Sequence, residues 1–267
     1  MRIACIGDCC IDCYRELNRR YPTGNVVDTA VNLVKLGTPA SVISTAGNDE
    51  NGRWIIDSLQ KEGVDVSRLK TAPGPTAITF MDMAGTDRIH GDYVEGVMEN
   101  IVFDEDDMAF ACEHDLAHTA LWGKADAVLH RLKACGIPVS FDYADRLDHP
   151  LTQSTLPFVD FGFFSYHSGR DAKIERYLKN KVEQGMKIAT ATFGAKGSLS
   201  WDGSNFHTGP VYPAKVVNTV GAGDSFIAGF LHGLIRGYEL QECLRIGARI
   251  AADVVQVFEP WVIDRKG

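Results

Sequence analysis

The sequence lacks several features that would restrict its function at once. Its 267 residues contain no apolar run near the roughly 20 residues that span a bilayer. The formal net charge of −8 argues against a general nucleic-acid binder and against docking on anionic membranes. The N-terminus becomes acidic at Asp8, which is too early for a signal peptide. We therefore expect a cytoplasmic protein whose partner is a small molecule, with no nucleic acid and no membrane.

Two nucleotide-binding patterns are also missing. A dinucleotide fold needs Gly-x-Gly-x-x-Gly after its first strand, and only Gly7 stands there, which disfavours an NAD-dependent oxidoreductase. The P-loop pattern Gly-x-x-x-x-Gly-Lys-Ser/Thr occurs nowhere in the chain. A nucleotide site, if present, has to use another arrangement.

Cysteines are few, and four of the seven are crowded into positions Cys5, Cys9, Cys10 and Cys13. The Cys10-Ile-Asp-Cys13 spacing is one that zinc and redox sites use, but no second CxxC or CxxH pair exists to complete a zinc site. Reduced cytosolic thiols near a strand end are favoured over metal or redox chemistry.

Buried strand patterns alternate with helical patterns along most of the chain, which predicts a parallel sheet covered by helices. There is no internal repeat and no low-complexity linker, so we expect a single α/β domain over residues 1–267. Strands are expected at 2–6, 40–45, 116–121, 139–143, 159–165 and 187–193, with a hairpin at 198–201 and 205–207. Helices are expected at about 24–36, 54–62, 104–113, 125–135, 151–156, 171–184, 223–236 and 240–257.

One hairpin interrupts this alternation, with predicted strands at 76–83 and 88–93 around a turn at 84–87. Together with a polar segment near the N-terminus it predicts a small β lid built from about 13–23 and 76–97. The returning strand mixes charged, aromatic and glycine residues, which suits contact with a polar ligand. The alternative is that these charges only protect an exposed sheet edge.

The most informative stretch is Asn218 to Leu231. Val216 and Val217 end a β-prone run before it, and Gly221, Ala222 and Gly223 form a turn with almost no side chain. Asp224 then opens an apolar helical segment. Free N–H groups at such a helix start suit a phosphate, and a carboxylate there is placed to take a proton from a hydroxyl that attacks the phosphate. The alternative is that Asp224 only caps the helix.

This stretch matches the C-terminal signature of the ribokinase-like (PfkB) carbohydrate kinases at every position, and the chain resembles that family along essentially its whole length. The resemblance implies a ribokinase-like three-layer α/β/α fold with a mostly parallel central sheet and a small β lid. It also implies ATP and Mg²⁺ as cofactors. Asp224 would be the catalytic base, and the backbone of Gly221, Ala222 and Gly223 would form the anion hole.

The same resemblance implies the binding residues. The segment Thr192-Phe-Gly-Ala-Lys-Gly197 is similar to the family's nucleotide loop, and Asp12 is similar to its early sugar-hydroxyl ligand. The cofactor-binding residues implied are Thr192, Gly194, Gly197, Asn218, Gly221 and Gly223. The substrate-binding residues implied are Asp12, Gly24, Asn25, Asp28, Arg88, Asp92, Tyr93 and Glu95.

Several positions depart from the family pattern. Thr23 and Val26 replace small residues, and Asp28 replaces an Asn that contacts sugar in many members. A carboxylate only accepts hydrogen bonds, whereas Asn also donates, so this contact has to change. The family's Asn-x-x-Glu motif is not recognisable, and Ser165 to Ser168 occupies its place, so the metal ligands are unknown. Asn218, where many members have Asp, weakens the case for a monovalent cation such as K⁺.

The resemblance implies ATP-dependent phosphorylation of a primary hydroxyl on a sugar or a fructosamine, with fructoselysine as the leading candidate. Asp28, Asp92 and Glu95 are expected to bind the cationic amino-acid part, the alternative being that Asp28 caps its helix or faces solvent. Another sugar, a sugar acid or a nucleoside is the rival acceptor. A non-catalytic sensor is disfavoured because it would not need Asp224. The open edges of the lid predict a homodimer.

Overall fold

The computed structural model describes residues 1–261, and the bounds of its strands and helices follow. The strands are β1 Ile3–Ile6, β2 Cys10–Tyr14, β3 Arg19–Thr23, β4 Ala40–Gly47, β5 Asp65–Ala72, β6 Ile78–Ala84, β7 Asp87–Val94, β8 Leu116–Ala120, β9 Val139–Asp142, β10 Phe161–Ser165, β11 Ile188–Thr192, β12 Ser198–Trp201 and β13 Phe206–Gly209. The helices are α1 Asn25–Lys35, α2 Glu50–Lys61, α3 Glu105–Cys112, α4 Leu129–Ala134, α5 Pro150–Ser154, α6 Ala172–Glu183, α7 Ala222–Ile235 and α8 Leu240–Val254.

Nine strands form one large sheet in the order β13-β12-β11-β10-β9-β8-β1-β4-β5. The pairs from β5 to β11 are parallel, and the last two strands are antiparallel. Both faces of this sheet are covered. Ile3 and Cys5 of β1 pack with α1, α2, α7 and α8, while Ala4 and Ile6 pack with α3, α4 and α6. The predicted three-layer α/β/α fold with a mostly parallel sheet is confirmed.

A second sheet has four strands in the order β3-β2-β6-β7. Its strands come from two separate segments of the chain. Strands β2 and β3 precede α1 and α2, and β6 and β7 follow them. Strand β7 is an edge strand and is exposed along its whole length. This sheet therefore has one edge with free backbone groups next to the carboxyl end of the large sheet.

Three segments differ from the sequence-based expectation. Strand β5 was not predicted, because at the sheet edge it is mostly exposed and carries polar residues that hide the strand pattern. The β-prone run ending at Val217 forms no strand. Its backbone N–H donates to the carbonyl of Val255 at 2.7 Å, so the segment is held by α8 rather than by a neighbouring strand. The predicted helix at 125–135 begins with a 3₁₀ turn, Ala125–Val128.

The cysteines follow the prediction only in part. Cys5, Cys9 and Cys10 are buried free thiols, and Cys13 is a partly buried one. A disulfide that the sequence did not indicate joins Cys112 to Cys135, at the ends of α3 and α4. Those two positions are 23 residues apart in the sequence and have no recognisable spacing motif, so only the packing of the two helices brings them together. Among residues 1–261, no helix has the length and apolar character needed to cross a membrane.

Candidate active site

The first turn of α7 places Asp224 at the centre of the site. The helix begins at Ala222, after Gly221 in a left-handed conformation with φ 70°. A Cβ atom on Gly221 would lie 2.4 Å from the carbonyl oxygen of Pro260, so only glycine fits there. Because Gly221 is the N-cap and Asp224 makes no capping hydrogen bond, the alternative that Asp224 only caps this helix is wrong.

The start of α1 joins this carboxyl to the end of β1. Asn25 Nδ2 donates to Asp224 Oδ1 at 2.9 Å, and the Asn25 backbone N–H donates to Asp8 Oδ2 at 3.0 Å. Gly24, the N-cap of α1, lies against Asp8 so closely that a Cβ atom would be 2.5 Å from the Asp8 carbonyl oxygen. Gly24 and Asn25 therefore fix the position of Asp224 relative to the sheet.

Five carboxyl groups, each less than a tenth exposed, come together at the carboxyl ends of the strands: Asp8, Asp12, Asp28, Asp142 and Asp224. Ligands of α/β sheets bind at this edge. Burial and, after it, the nearby carboxyl of Asp142 together raise the pKa of Asp224 to about 7. Burial likewise raises the pKa of Asp142 to about 6. A carboxylate whose pKa lies near neutral pH is well suited to accept a proton from a hydroxyl.

Asp12 is the carboxyl of this group that lies on the second sheet. It is in β2, and burial raises its pKa to about 7, while the guanidinium of Arg88 acts in the opposite direction. Asp12 is 5% exposed, so its carboxyl is largely shielded from bulk water. The structure thus brings the predicted sugar ligand Asp12 into the same charge cluster as the predicted base.

Asp28 is also inside this cluster. It is 2% exposed, and its Oδ2 accepts a hydrogen bond from the Thr23 hydroxyl at 2.8 Å. The N-cap of its helix is Gly24. The alternative that Asp28 caps α1 or faces solvent is therefore wrong.

Strand β7 contributes a cation that reaches the other side of the site. Arg88 Nη1 donates to the carbonyl oxygen of Thr219, two residues before Gly221, at 2.8 Å. The positive charge of Arg88 partly opposes the effect of burial on Asp12, Asp142 and Asp224, whose pKa values nevertheless stay raised. Arg88 thus connects the four-stranded sheet to the segment that leads into α7.

The other predicted residues of this strand are more peripheral. Asp92 and Tyr93 are exposed on β7. Glu95 forms an ion pair with Lys124, with Oε2 and Nζ 2.5 Å apart, so its charge is already compensated. Of the two acidic residues, Asp92 is the one whose carboxylate is open to a cationic ligand.

The loop Thr192 to Gly197 follows β11 at the same edge of the sheet. The Phe193 N–H donates to the Gly197 carbonyl at 2.8 Å and closes the loop. A Cβ atom on Gly194 would meet no atom within 4 Å, and the same is true of Gly223 in α7. Both glycines therefore face open space that a nucleotide could occupy. In residues 1–261, no hydrogen bond joins this loop to Asp224.

Asn218 is placed differently from the other predicted cofactor-binding residues. It is fully buried, and its Nδ2 donates to Phe258 O at 3.0 Å and to Tyr14 Oη at 3.3 Å. Its Oδ1 accepts from the Val220 N–H at 3.1 Å. Its amide is thus occupied by the protein, and it holds the segment before Gly221 in place.

The sequence places Asp8 and Asp12 just past the first strand, where α/β sheets bind ligands, but only Asp12 was predicted to be a site residue. Asp142 and Lys124 were not assigned to the site. Asp142 had the same signal as Asp8, because it is a carboxylate at the end of a buried strand. Lys124 had none, because its contact with Glu95 depends on how the loop after β8 meets the second sheet.

The described residues contain no group of three or more His, Cys, Asp or Glu side chains that could hold a metal ion. Mg²⁺ in phosphoryl-transfer sites usually keeps several waters and binds one or two carboxylates together with the phosphates. A dedicated protein cage is therefore not required, and the structure assigns no metal ligand.

The chain is similar to carbohydrate kinases both at the level of a protein family and at the level of individual relatives. The family described as "pfkB family carbohydrate kinase" matches residues 1–95 and 161–260. The chain is 37% identical to the fructoselysine 6-kinase of Escherichia coli K12 over 97% of this chain and 99% of that protein. It is 31% identical to the fructosamine kinase FrlD of Bacillus subtilis 168 over 97% of this chain and 92% of that protein.

Solved structures show the same fold. The Arabidopsis thaliana ribokinase complexed with ribose and ATP superposes with a TM-score of 0.82 at 21% identity, over 96% of this chain and 92% of that one. A ribokinase II from Escherichia coli in complex with ATP and Mg²⁺ gives a TM-score of 0.80 at 21% identity, over 97% and 94% of the two chains.

Proposed function

The chain belongs to the pfkB family of carbohydrate kinases, and from this we propose that it transfers the γ-phosphoryl group of ATP to a primary hydroxyl of a fructosamine, converting fructoselysine to fructoselysine 6-phosphate. The observation that carries the phosphoryl transfer is the buried Asp224 in the first turn of α7, next to the glycine turn. The 37% identity to the fructoselysine 6-kinase, which extends over nearly the full length of both chains, supports the acceptor.

We propose that Asp224 accepts the proton of the attacking hydroxyl. Its pKa of about 7 leaves it largely ionised just above neutral pH, and Asn25 orients its Oδ1. The first N–H groups of a helix have no intrahelical acceptor, so those of Ala222 and Gly223 are proposed to stabilise the negative charge that develops on the transferred phosphate. The Ala222 N–H would exchange a long hydrogen bond to the Thr219 carbonyl, 3.4 Å, for this contact. Asp12 is proposed to bind a sugar hydroxyl.

The kinase family implies ATP and Mg²⁺. When bound, Mg²⁺ would neutralise charge on the phosphates. No residue is assigned to it, and no step here depends on it. The Thr192 to Gly197 loop is proposed to contact ATP through the open face of Gly194. Gly197 lies against the carbonyl oxygen of Gly209, to which a Cβ atom would be 2.8 Å away, and is proposed to keep the loop closed. Activation by a monovalent cation such as K⁺ stays a prediction, and the neutral, fully engaged Asn218 favours a small effect.

We propose that the four-stranded sheet is a lid that excludes water, which supports transfer to the sugar over hydrolysis of ATP. The Arg88 contact to Thr219 supports this, since it bridges β7 and the segment before α7. The exposed edge of β7 supports a homodimer through the lid. Sedimentation analysis of the protein would reveal only monomers if this last proposal were wrong.

The amino-acid part of the substrate is proposed to lie along β7. Of Asp28, Asp92 and Glu95, the exposed Asp92 is best placed to pair with the cationic amine of a fructosamine, because Glu95 already pairs with Lys124 and Asp28 is buried beside Asp224. Because Asp92 is exposed, an ion pair of this type contributes about 0.5–1 kcal/mol, which corresponds to a preference of roughly twofold to fivefold.

We expect fructoselysine to be the best acceptor in a coupled ADP-release assay that also contains fructose, ribose, 2-keto-3-deoxygluconate and adenosine. Its kcat/KM should exceed that of fructose by roughly twofold to fivefold from the pair with Asp92 alone. An N-acetylated fructosamine, which has lost the cationic amine, is the matched control and should fall toward fructose. Equal kcat/KM values for fructose and fructoselysine would contradict the fructosamine assignment. A clear preference for adenosine or the sugar acid would move the chain to another acceptor class.

A further inference from the structure

The carboxyl of Asp28 has an unusual position for an acidic side chain. It is 2% exposed, and within residues 1–261 the one side chain that donates to it is Thr23, whose hydroxyl donates to Oδ2. Oδ1 is buried and has no hydrogen-bond partner among the described residues. A buried carboxylate oxygen without a partner carries a large desolvation cost, whereas a protonated carboxyl carries much less.

The groups that face Asp28 from the surrounding elements do not supply a compensating charge. They are Asp8 after β1, Asp12 on β2, Tyr21 on β3 and Asp224 on α7. Within residues 1–261, no lysine or arginine forms an ion pair with Asp28. The site's cation, Arg88, acts on Asp12, Asp142 and Asp224 instead. A negative charge on Asp28 would therefore be repelled from several sides.

The neighbouring Asp8 is also buried, and its Oδ1, like that of Asp28, has no hydrogen-bond partner among the described residues. Asp8 differs in that its Oδ2 accepts a backbone N–H, from Asn25 at 3.0 Å, and backbone donors lower its pKa against the effect of burial. Asp224 likewise has the Asn25 amide and the Arg88 charge in its favour. Asp28 has only the hydrogen bond from the Thr23 hydroxyl among the described side chains.

The pair formed by Asp28 and Asp224 should therefore lose its two protons in a fixed order. Burial, followed by the charge of Asp224, raises the pKa of Asp28 well above its ordinary value, whereas the pKa of Asp224 is about 7. Two interacting carboxyls titrate as a unit, and the group with the better donors ionises first.

We propose that Asp28 is a positioning residue that acts as an uncharged carboxylic acid, with Oδ2 accepting from Thr23 and Oδ1 keeping a proton, so that the single negative charge of the pair stays on Asp224. The proton remains on Asp28 when Asp224 takes the proton of the sugar hydroxyl. This inference rests on the proposed role of Asp224 as the base. A protonated carboxyl both donates and accepts hydrogen bonds, as Asn does, so Asp at this position keeps the hydrogen-bonding capacity that the family's Asn provides.

Difference infrared spectroscopy tests the protonation state directly and without turnover. At pH 8, the spectrum of the wild type minus Asp28→Asn should show the C=O band of a protonated carboxylic acid. Asp142→Asn is the matched control, because Asp142 is also buried but its pKa is about 6. The same subtraction for that variant should show only carboxylate bands. A carboxylate band for Asp28 as well would overturn the proposal.

The pH dependence of kcat/KM gives a second, functional readout. The wild type should lose activity as the pH falls through about 7, because Asp224 becomes protonated. Asp28→Asn should leave this midpoint within about half a pH unit, since no charge is removed. Asp142→Asn should lower the midpoint by about one unit. A comparable downward shift in Asp28→Asn would mean that Asp28 is charged.

Two further measurements separate this role from a purely structural one. Asp28→Ala should be at least about tenfold less active than Asp28→Asn, because Ala cannot accept from Thr23 or replace the carboxyl. If Asp28→Asn does not fold, ¹³C NMR of aspartate-labelled wild type replaces it. The ¹³C shift of at least one aspartate carboxyl group should show that it remains protonated at pH 8. Ionisation of every aspartate carboxyl at that pH would refute the proposal. Because the spectra need no substrate, a failed kinase assay would leave their outcome interpretable.

Discussion

Asp224→Asn is expected to lower kcat by about 10²–10⁴-fold while the affinity for ATP changes little, because this is the range that a positioned general base contributes. The amide oxygen of Asn can still accept the hydrogen bond from Asn25 that Asp224 Oδ1 receives at 2.9 Å. The geometry of the site is thus preserved and only the proton acceptor is lost. Coupled ADP release measures kcat, and isothermal titration calorimetry measures ATP binding.

The same variant should not be destabilised. The pKa of Asp224 is raised from 3.8 to about 7 in the folded protein. A raised pKa means that the folded state favours the protonated carboxyl, so this contribution to stability is complete below about pH 3.8 and is lost as the pH rises through about 7. Asn carries no such charge. The Tm of Asp224→Asn should therefore equal or exceed that of the wild type at pH 8, and the difference should shrink near pH 4.

Asp253→Asn provides the matched control, since Asp253 is an exposed carboxyl on α8. It should keep the kcat of the wild type. If Asp224→Asn retained most of its kcat, Asp224 would not be the base. If it lost ATP binding to the same extent as turnover, the substitution would have disturbed the anion hole instead.

Gly24→Ala is expected to reduce kcat/KM by at least about 10²-fold, since a displacement of about 1 Å at a reacting group can cost that much. A Cβ atom here would lie 2.5 Å from the Asp8 carbonyl oxygen and 3.1 Å from Asp8 Oδ2. The backbone of Gly24 has φ 141°, which side chains rarely adopt. Either the start of α1 or Asp8 must move, and Asn25 moves with it.

Gly37→Ala separates this positional effect from backbone strain. Gly37 also has a positive φ, 80°, but a Cβ atom there would meet nothing within 4 Å. This control should lose stability by about 1–3 kcal/mol without a large change in kcat/KM. Thermal melts and steady-state kinetics of both variants make the comparison. Activity of Gly24→Ala within threefold of the wild type would show that the contact with Asp8 does not position Asn25 and Asp224.

Much of the architecture could be predicted because it depends on local pattern. Both faces of β1 are buried, so its apolar run predicts a strand of a parallel sheet, and the helices start and stop at residues with clear capping chemistry, as at Asp104 and Asp171. Strand β5 lacked such a signal, because an exposed edge strand can carry polar residues at most positions. The disulfide between Cys112 and Cys135 depends on two helix ends meeting, which no local pattern records.

The alternation of strand and helix patterns indicates the fold class. The glycine turn, the helix start and Asp224 indicate the reaction class, because they are adjacent in the chain and their chemistry depends on that adjacency. Which carboxyls share one site depends on the packing of segments that are distant in the sequence. Asp8, Asp28, Asp142 and Asp224 come from different parts of the chain, and burial raises the pKa of each. For Asp28, Asp142 and Asp224, repulsion from neighbouring carboxyls adds to this effect. Those two effects depend on distance through space. In the sequence, Asp28 is only a departure from the family motif. Its burial and its acidic neighbours are the reason why we propose that it keeps a proton beside Asp224.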